Sequence, residues 1–250
     1  MEVGLVIIGD EILSGKRQDR HLTKSIEILS ERGLKVGWVN YLPDDPDRLV
    51  RTFKSTFAAK DIVFSFGGIG ATPDDHTRKA VADAAGVELQ LNEDAKREIE
   101  QQFGDDSYPH RIKMGFFPEG SRAIPNQYNR IPGFSLNDHH FLPGFPSMAW
   151  TMMAWVLDND YPHLHKTEVD IEKSILIIDA PESELIPVMD ECLERFSRSK
   201  VFSLPTLTAD RQRKVELGVK GPGDEVNAAF RYIQTSVTEL GYQWTEVDSR

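Results

Sequence analysis

Cysteine is almost absent: one thiol, Cys192, in 250 residues. No internal disulfide can form, which excludes the stapled scaffolds of small exported proteins and suits a reducing cytoplasm. Basic charge is also scarce, with 29 Lys and Arg against 40 Asp and Glu and a net charge of −11. Long-range electrostatics therefore disfavour a nucleic-acid partner. No apolar run approaches the ~20 residues of a membrane-spanning helix. The opening MEVGLVIIGDE lacks the basic start of a signal peptide, so no membrane association is expected. Internal repeats, low-complexity tracts and heptads are missing too. What is present is an ordinary globular balance, 40% hydrophobic and 28% charged, on a chain long enough for one large or two unequal domains.

The apolar pattern alternates between strands and helices. Val3–Ile8 is a continuous β-branched run ending at Gly9 and reads as a central strand covered on both faces. Residues His21 to Arg32 place Leu22, Ile26 and Leu29 at helical spacing before Gly33. Leu34 to Tyr41 reads as a second strand, LPDDPD as a turn, Asp47 to Ala59 as a helix and DIVFSF as a third strand, followed by the helical RKAVADAAG. This order calls for an α/β domain with a mostly parallel sheet and helices on both faces. Further on, a helix is expected over Asp94 to Phe103, short strands near Met114 to Phe117, Gly133 to Leu136 and His139 to Leu142, and a buried helix over Ala149 to Leu157. After the polar stretch DNDYPHLHK, strands at Glu172 to Ile178 and Lys214 to Val219 and helices at Glu182 to Phe196 and Glu225 to Leu240 make a small two-layer α/β domain. The expected division is 1–165 and 166–250, with Leu185, Met189, Cys192, Leu193 and Phe196 on one buried helix face.

Chemistry concentrates in loops that follow the first three strands, the edge where open α/β sheets bind ligands. In GGIGATPDDHT, Gly67, Gly68 and Gly70 permit positive φ and let backbone amides turn toward an anion. The following helix contributes its N-terminal dipole. Asp74 and Asp75 in the same turn would repel a phosphate unless a hard cation such as Mg²⁺ lay between them. The competing reading is that one of them caps the helix, with Thr77 in support. In GDEILSG, Gly9, Asp10 and Glu11 end strand one, and Ser14 and Gly15 complete a second anion-binding turn; Asp44 follows strand two. Pro143, Gly144 and Pro146 form a rigid turn shaping a pocket wall; Phe145 reads as a core aromatic, with stacking on a ligand ring as the alternative, and Arg78 as a solvated helix residue, with a phosphate contact as the alternative. His163 with His165, and His139 with His140, lack the Cys/His set of a zinc site and read as surface or loop residues.

Four motifs in order, GDEILSG (9–15), PDD (43–45), GGIGATPDDHT (67–77) and LPGFP (142–146), resemble the MoaB/Mog molybdopterin-binding-like superfamily. The nearest likeness is to the N-terminal domain of competence/damage-inducible protein A (CinA) and the molybdopterin-binding-like domain of eukaryotic FAD synthases. The resemblance implies a three-layer fold, a dimer or trimer, and a nucleotide or pterin ligand. On the CinA side it implies hydrolysis of a pyrophosphate bond in ADP-ribose or FAD with a divalent metal, Mg or Co; on the Mog side, molybdopterin handling. The doubled carboxylate and the attached small domain favour the first branch. Carried over by motif, Asp75 takes the place of the functional aspartate of the glycine loop and Asp44 that of the acidic residue after strand two.

The assignment expected from motif and residues together has Asp44, Asp74 and Asp75 as catalytic groups and Asp44 with Asp75 on the metal. Gly9, Asp10, Glu11, Ser14, Gly15, Gly67, Gly68, Gly70, Thr72, Thr77, Pro143, Gly144 and Pro146 surround the ligand. A molybdopterin carrier and a non-catalytic nucleotide-binding module are the alternatives. This chain departs from the CinA pattern at three places: Asp19-Arg20-His21 stands for D-T-N, Asn129-Arg130-Ile131 for G-T-A, and Met148 for an acidic residue.

Overall fold

β1 (Val3–Ile8) is buried along its whole length, as its uninterrupted apolar run requires. In this computed structural model, which describes residues 1–166, 170–207 and 213–247, the strand sends alternate side chains into two different cores. Val3, Leu5 and Ile7 join one cluster; Val6 and Ile8 join the other. The chain divides into two units, Met1–His165 and Lys166–Arg250.

In the first unit β1 leads through α1 (Asp10–Leu13) and α2 (His21–Ser30) to β2 (Val36–Leu42), then α3 (Pro46–Ala59), β3 (Ile62–Phe66) and α4 (Thr77–Ala85). β4 (Leu89–Leu91), α5 (Glu93–Phe103), β5 (Phe116–Pro118), β6 (Arg122–Ile124), β7 (Gly133–Leu136), β8 (His139–Leu142) and α6 (Pro146–Asp160) complete it. The main sheet has the order β2-β1-β3-β8-β7-β6. Its first four strands run parallel, and β7 is antiparallel to both neighbours. Residues of α2 and α6 fill the core on one face, and those of α3 and α4 fill it on the other, giving three layers. Asp45 accepts the Arg48 amide to cap α3, with Pro46 at the first helical position.

Some expectations fail locally. Ile26 is exposed, because α2 turns His21, Ser25, Ile28 and Leu29 inward instead. His139 and His140 are neither surface nor loop residues: both lie buried in β8. His140 Nδ1 pairs with Ser135 Oγ (2.8 Å) and Nε2 with Tyr161 Oη (2.8 Å), and that hydroxyl donates to Asp138 (2.9 Å). His139 Nε2 pairs with Thr56 Oγ1 (2.9 Å). Burial lowers the pKa of His139 to about 4 and of His140 to about 3.

The second unit folds β9 (Ile171–Ile178), α7 (Glu182–Arg195), β10 (Lys200–Leu207), β11 (Arg213–Gly221), α8 (Gly223–Glu239) and β12 (Trp244–Val247) into an antiparallel sheet of order β10-β11-β9-β12 covered by two helices. Cys192 is fully buried in its core, and burial pushes the thiol up to about 11. Leu193, expected beside it, is exposed; Leu185, Val188 and Cys192 form the inward face. Among the described residues no helix is long and apolar enough to cross a membrane.

Candidate functional site

Parallel strands end together, so the loops after β1, β2, β3 and β8 share one edge of the sheet. The first two are tied reciprocally. The Asp10 amide donates to Asp44 Oδ2 (3.0 Å) and the Asp44 amide to Asp10 Oδ1 (3.4 Å), while the Gly9 amide donates to Leu42 O. Burial raises the Asp44 carboxyl above its usual range, and the like charges of Asp10, Glu11 and Asp74 push it further, against the pull of the Asp10 amide. Every charged neighbour that perturbs it is negative. Ser14 and Gly15 lie exposed beyond α1, and neither lines a cavity with the glycine turn.

The glycine turn is built by close backbone approach. Gly67 and Gly68 have φ of 106° and 68°, values that favour glycine. A Cβ at Gly67 would fall 2.5 Å from Ile8 O, and one at Gly68 2.3 Å from Thr77 Oγ1. Gly70 has no positive φ; it is needed for space, since a Cβ there would lie 2.5 Å from Asp75 Oδ2. The expected three-amide cradle is revised, because the Gly67 amide already donates to Leu142 O. Among the described residues no acceptor engages the amides of Gly68, Ile69 and Gly70. Those three are the available donors.

Neither aspartate caps α4. The cap position is His76, with no side-chain bond, because Asp75 folds back onto its own loop. Asp75 Oδ2 accepts both the Thr72 amide (2.8 Å) and the Thr72 hydroxyl, leaving Oδ1 uncommitted. Thr77 is buried, its amide on Gly68 O and its hydroxyl on Gly67 O (both 3.0 Å), so it holds the turn and offers nothing to a ligand. Arg78, expected in solvent, is half-buried and donates to Gly70 O and Lys113 O; burial lowers its pKa. It props the turn from behind.

The loop after β8 closes the other side. Gly144 packs on Gly67, and His21, buried and stacked on Phe66 at 4.5 Å, donates from Nε2 to Gly144 O (3.2 Å). Phe145 is 64% exposed rather than in the core. Pro146 begins α6, and Pro143, Gly144, Phe145 and Met148 form a wall. The result is a cavity of about 330 Å³ between the glycine turn, this wall and a third side made by Met114, Asn126, Asn129 and Ile131. Gly68, Gly70, Thr72, Asp75, Pro143 and Gly144 line it; Gly9, Asp10, Glu11, Asp44 and Asp74 do not. The carboxylates form a separate acidic group beside it, linked through the 72–75 loop. Sequence reasoning missed the third side as a site element. Its signal in the sequence was the departure from the CinA pattern at Asn129-Arg130-Ile131, downstream of Asn126.

A glycine turn at the carboxyl edge of a parallel sheet, opening on a small cavity with acids alongside, marks an α/β domain with a candidate small-molecule site at its strand ends. The chain belongs to the probable molybdopterin binding domain family, which matches residues 4–166, and within the MoaB/Mog-like superfamily it lies close to CinA. A protein of Thermoplasma acidophilum is 28% identical over 243 residues, 95% of this chain and 93% of the relative. A CinA-like protein of Anaeromyxobacter dehalogenans is 32% identical over 205 residues, which are 76% of this chain and 49% of that longer protein. The crystal structure of a T. acidophilum CinA protein of unknown function superposes with a TM-score of 0.58 at 27% identity, covering 64% of this chain and 98% of that one.

Proposed function

We propose that the cavity binds a nucleotide pyrophosphate of the ADP-ribose or FAD type and that the chain hydrolyses its phosphoanhydride bond with a divalent cation, Mg or Co. The observation that carries this reading is the pairing of three unengaged amides at Gly68–Gly70 with Asp44, whose carboxyl is raised by burial and by the negative charges of Asp10, Glu11 and Asp74 beside it. Among the described residues no set of three His, Cys, Asp or Glu is arranged to hold a metal alone. That fits a cation held by one or two carboxylates and completed by water and substrate phosphate, the usual habit of Mg²⁺. Asp44 and Asp10, tied to each other through their backbone amides, would hold it. Bound there, it would supply Lewis-acid stabilisation of charge on the phosphates.

The chain's own groups divide the remaining work. The amides of Gly68, Ile69 and Gly70 bind the oxygens of one phosphate and offset charge as the bridging P–O bond breaks. Asp74, exposed next to the turn, helps orient the attacking water, whose oxygen bonds to phosphorus as its proton is released. Two monophosphates leave, and the proton passes to solvent. Asp75 keeps the loop closed through Thr72.

Incubation with ADP-ribose, FAD, NAD and molybdopterin, with Mg²⁺, Co²⁺ or chelator, tests this by chromatography of products and by thermal shift. Metal-dependent release of monophosphates supports it, and cleavage undiminished by chelator refutes it. A second reading, a molybdopterin binder in molybdenum cofactor synthesis, draws on the family description and is favoured by binding of molybdopterin without turnover. Binding of a nucleotide without turnover marks the non-catalytic module.

A further inference from the structure

The third side of the cavity carries a donor with no proper acceptor. Asn129 Oδ1 accepts from Asn126 Nδ2 (2.7 Å) and from the Ile131 amide (3.1 Å), so the amide is fixed with its oxygen toward the loop. Asn126 is itself anchored by the Ile131 carbonyl and the Tyr128 amide. Asn129 Nδ2 is left with only Met148 Sδ at 3.5 Å, a weak acceptor. Both residues line the cavity, where Ile69, Ile131 and the exposed ring of Phe145 supply apolar surface. A neutral amide donor, a polarisable thioether and an aromatic face suit an uncharged planar ring better than a sugar or a second phosphate.

We propose that Asn129 and Met148 are the specificity-determining residues of the cavity, and that they take the heteroaromatic ring of the ligand, with Asn129 Nδ2 donating to an acceptor on the ring edge. This rests on the reading of the cavity as the ligand site but not on hydrolysis. A purine, a flavin and a pterin share the required chemistry, a flat ring with acceptor nitrogens or carbonyls.

The test is calorimetric binding of AMP, FMN, a free pterin and ribose 5-phosphate, the last sharing the phosphate but lacking a ring. At least one ring-bearing ligand is expected to bind about tenfold or more tightly than ribose 5-phosphate, from one hydrogen bond and ring contact together. Asn129→Asp keeps the acceptor that the loop needs and removes the donor; the ring-free ligand corrects for its added charge. It should bring the ratio to within about threefold, and Met148→Ala, which leaves the Asn129 loop bonds intact and removes the thioether from the ring face, should do the same. A ratio near one in the unaltered protein, or a ratio that survives both substitutions, overturns the proposal. Turnover is not measured, so absence of hydrolysis leaves a positive result standing, whereas a ratio near one refutes the ring site even in an active enzyme.

Discussion

Gly68→Ala should break the turn for a reason that a second substitution can expose. The new Cβ would sit 2.3 Å from Thr77 Oγ1 in a residue with φ of 68°. The left-handed conformation costs a non-glycine residue about 1.5 kcal/mol. Displacing the hydroxyl that donates to Gly67 O removes a buried hydrogen bond, about 2 kcal/mol more. The single change therefore destabilises by about 3.5 kcal/mol. Thr77→Ala alone loses the same bond, about 2 kcal/mol, and a buried methyl, about 1 kcal/mol, in all about 3 kcal/mol. Because the alanine also removes the clashing oxygen, the double variant should lose about 4.5 kcal/mol, not the additive sum of about 6.5 kcal/mol. Denaturant unfolding followed by tryptophan emission measures this cycle in the first unit, which holds Trp38, Trp150 and Trp155, with Trp244 as the reporter of the second. Additivity within about 0.5 kcal/mol would refute the reasoning, because the Gly68 methyl and the Thr77 hydroxyl would then not compete for one space.

Three other outcomes follow from the same geometry. Asp44 has a raised pKa, so its ionised form costs stability at neutral pH. Asp44→Asn should raise Tm at pH 7 in chelator, the gain should fade as pH falls through the carboxylate range, and Mg²⁺ should stabilise the parent more than the variant; a lower Tm in chelator sinks the idea. His139 and His140 are held neutral by burial, which lowers their pKa to about 4 and about 3 from the ordinary imidazole value of about 6.5, so their contribution is complete above pH 6.5 and is lost as pH falls toward those lowered values. The denaturation midpoint should drop between pH 6.5 and 5, by about 1.4 kcal/mol per pH unit for each ring at most, and an unchanged midpoint would contradict their neutral state. Gly70→Ala should displace Asp75 from Thr72, lowering nucleotide affinity by about tenfold while Tm falls by only a few degrees; full affinity in calorimetry would remove Asp75 from its loop-closing role.

The first three strands and their loops were legible because a two-sided strand must be apolar throughout, and a turn of close backbone approach must be glycine. Where burial depends on distant partners, periodicity misled. His139 and His140 look polar in sequence, yet Thr56, Ser135 and Tyr161 supply partners from other elements. β10 was missed because Pro205 and its polar neighbours break the pattern, which an edge strand tolerates. Leu193 and Ile26 sit at plausible helical spacing but one step off the inward face. The cavity was half legible: its glycine side follows from motif, whereas Asn126, Asn129 and Ile131 belong to an irregular loop whose shape comes from its own hydrogen bonds. Phe145 was assigned by residue type alone, and exposure follows instead from its place at the start of α6.

The joint between the β3 and β8 loops is made almost wholly of backbone: Gly67 on Gly144, and the Gly67 amide on Leu142 O. Such a hinge-free frame keeps its outline whatever side chains are hung around it. On the proposed assignment, Asn129 and Met148 can be exchanged as one would exchange a lens in a fixed mount, without moving the glycine turn. The domain behaves as a holder with interchangeable optics, and retargeting it calls for substitutions on the third side of the cavity, leaving the glycine turn untouched.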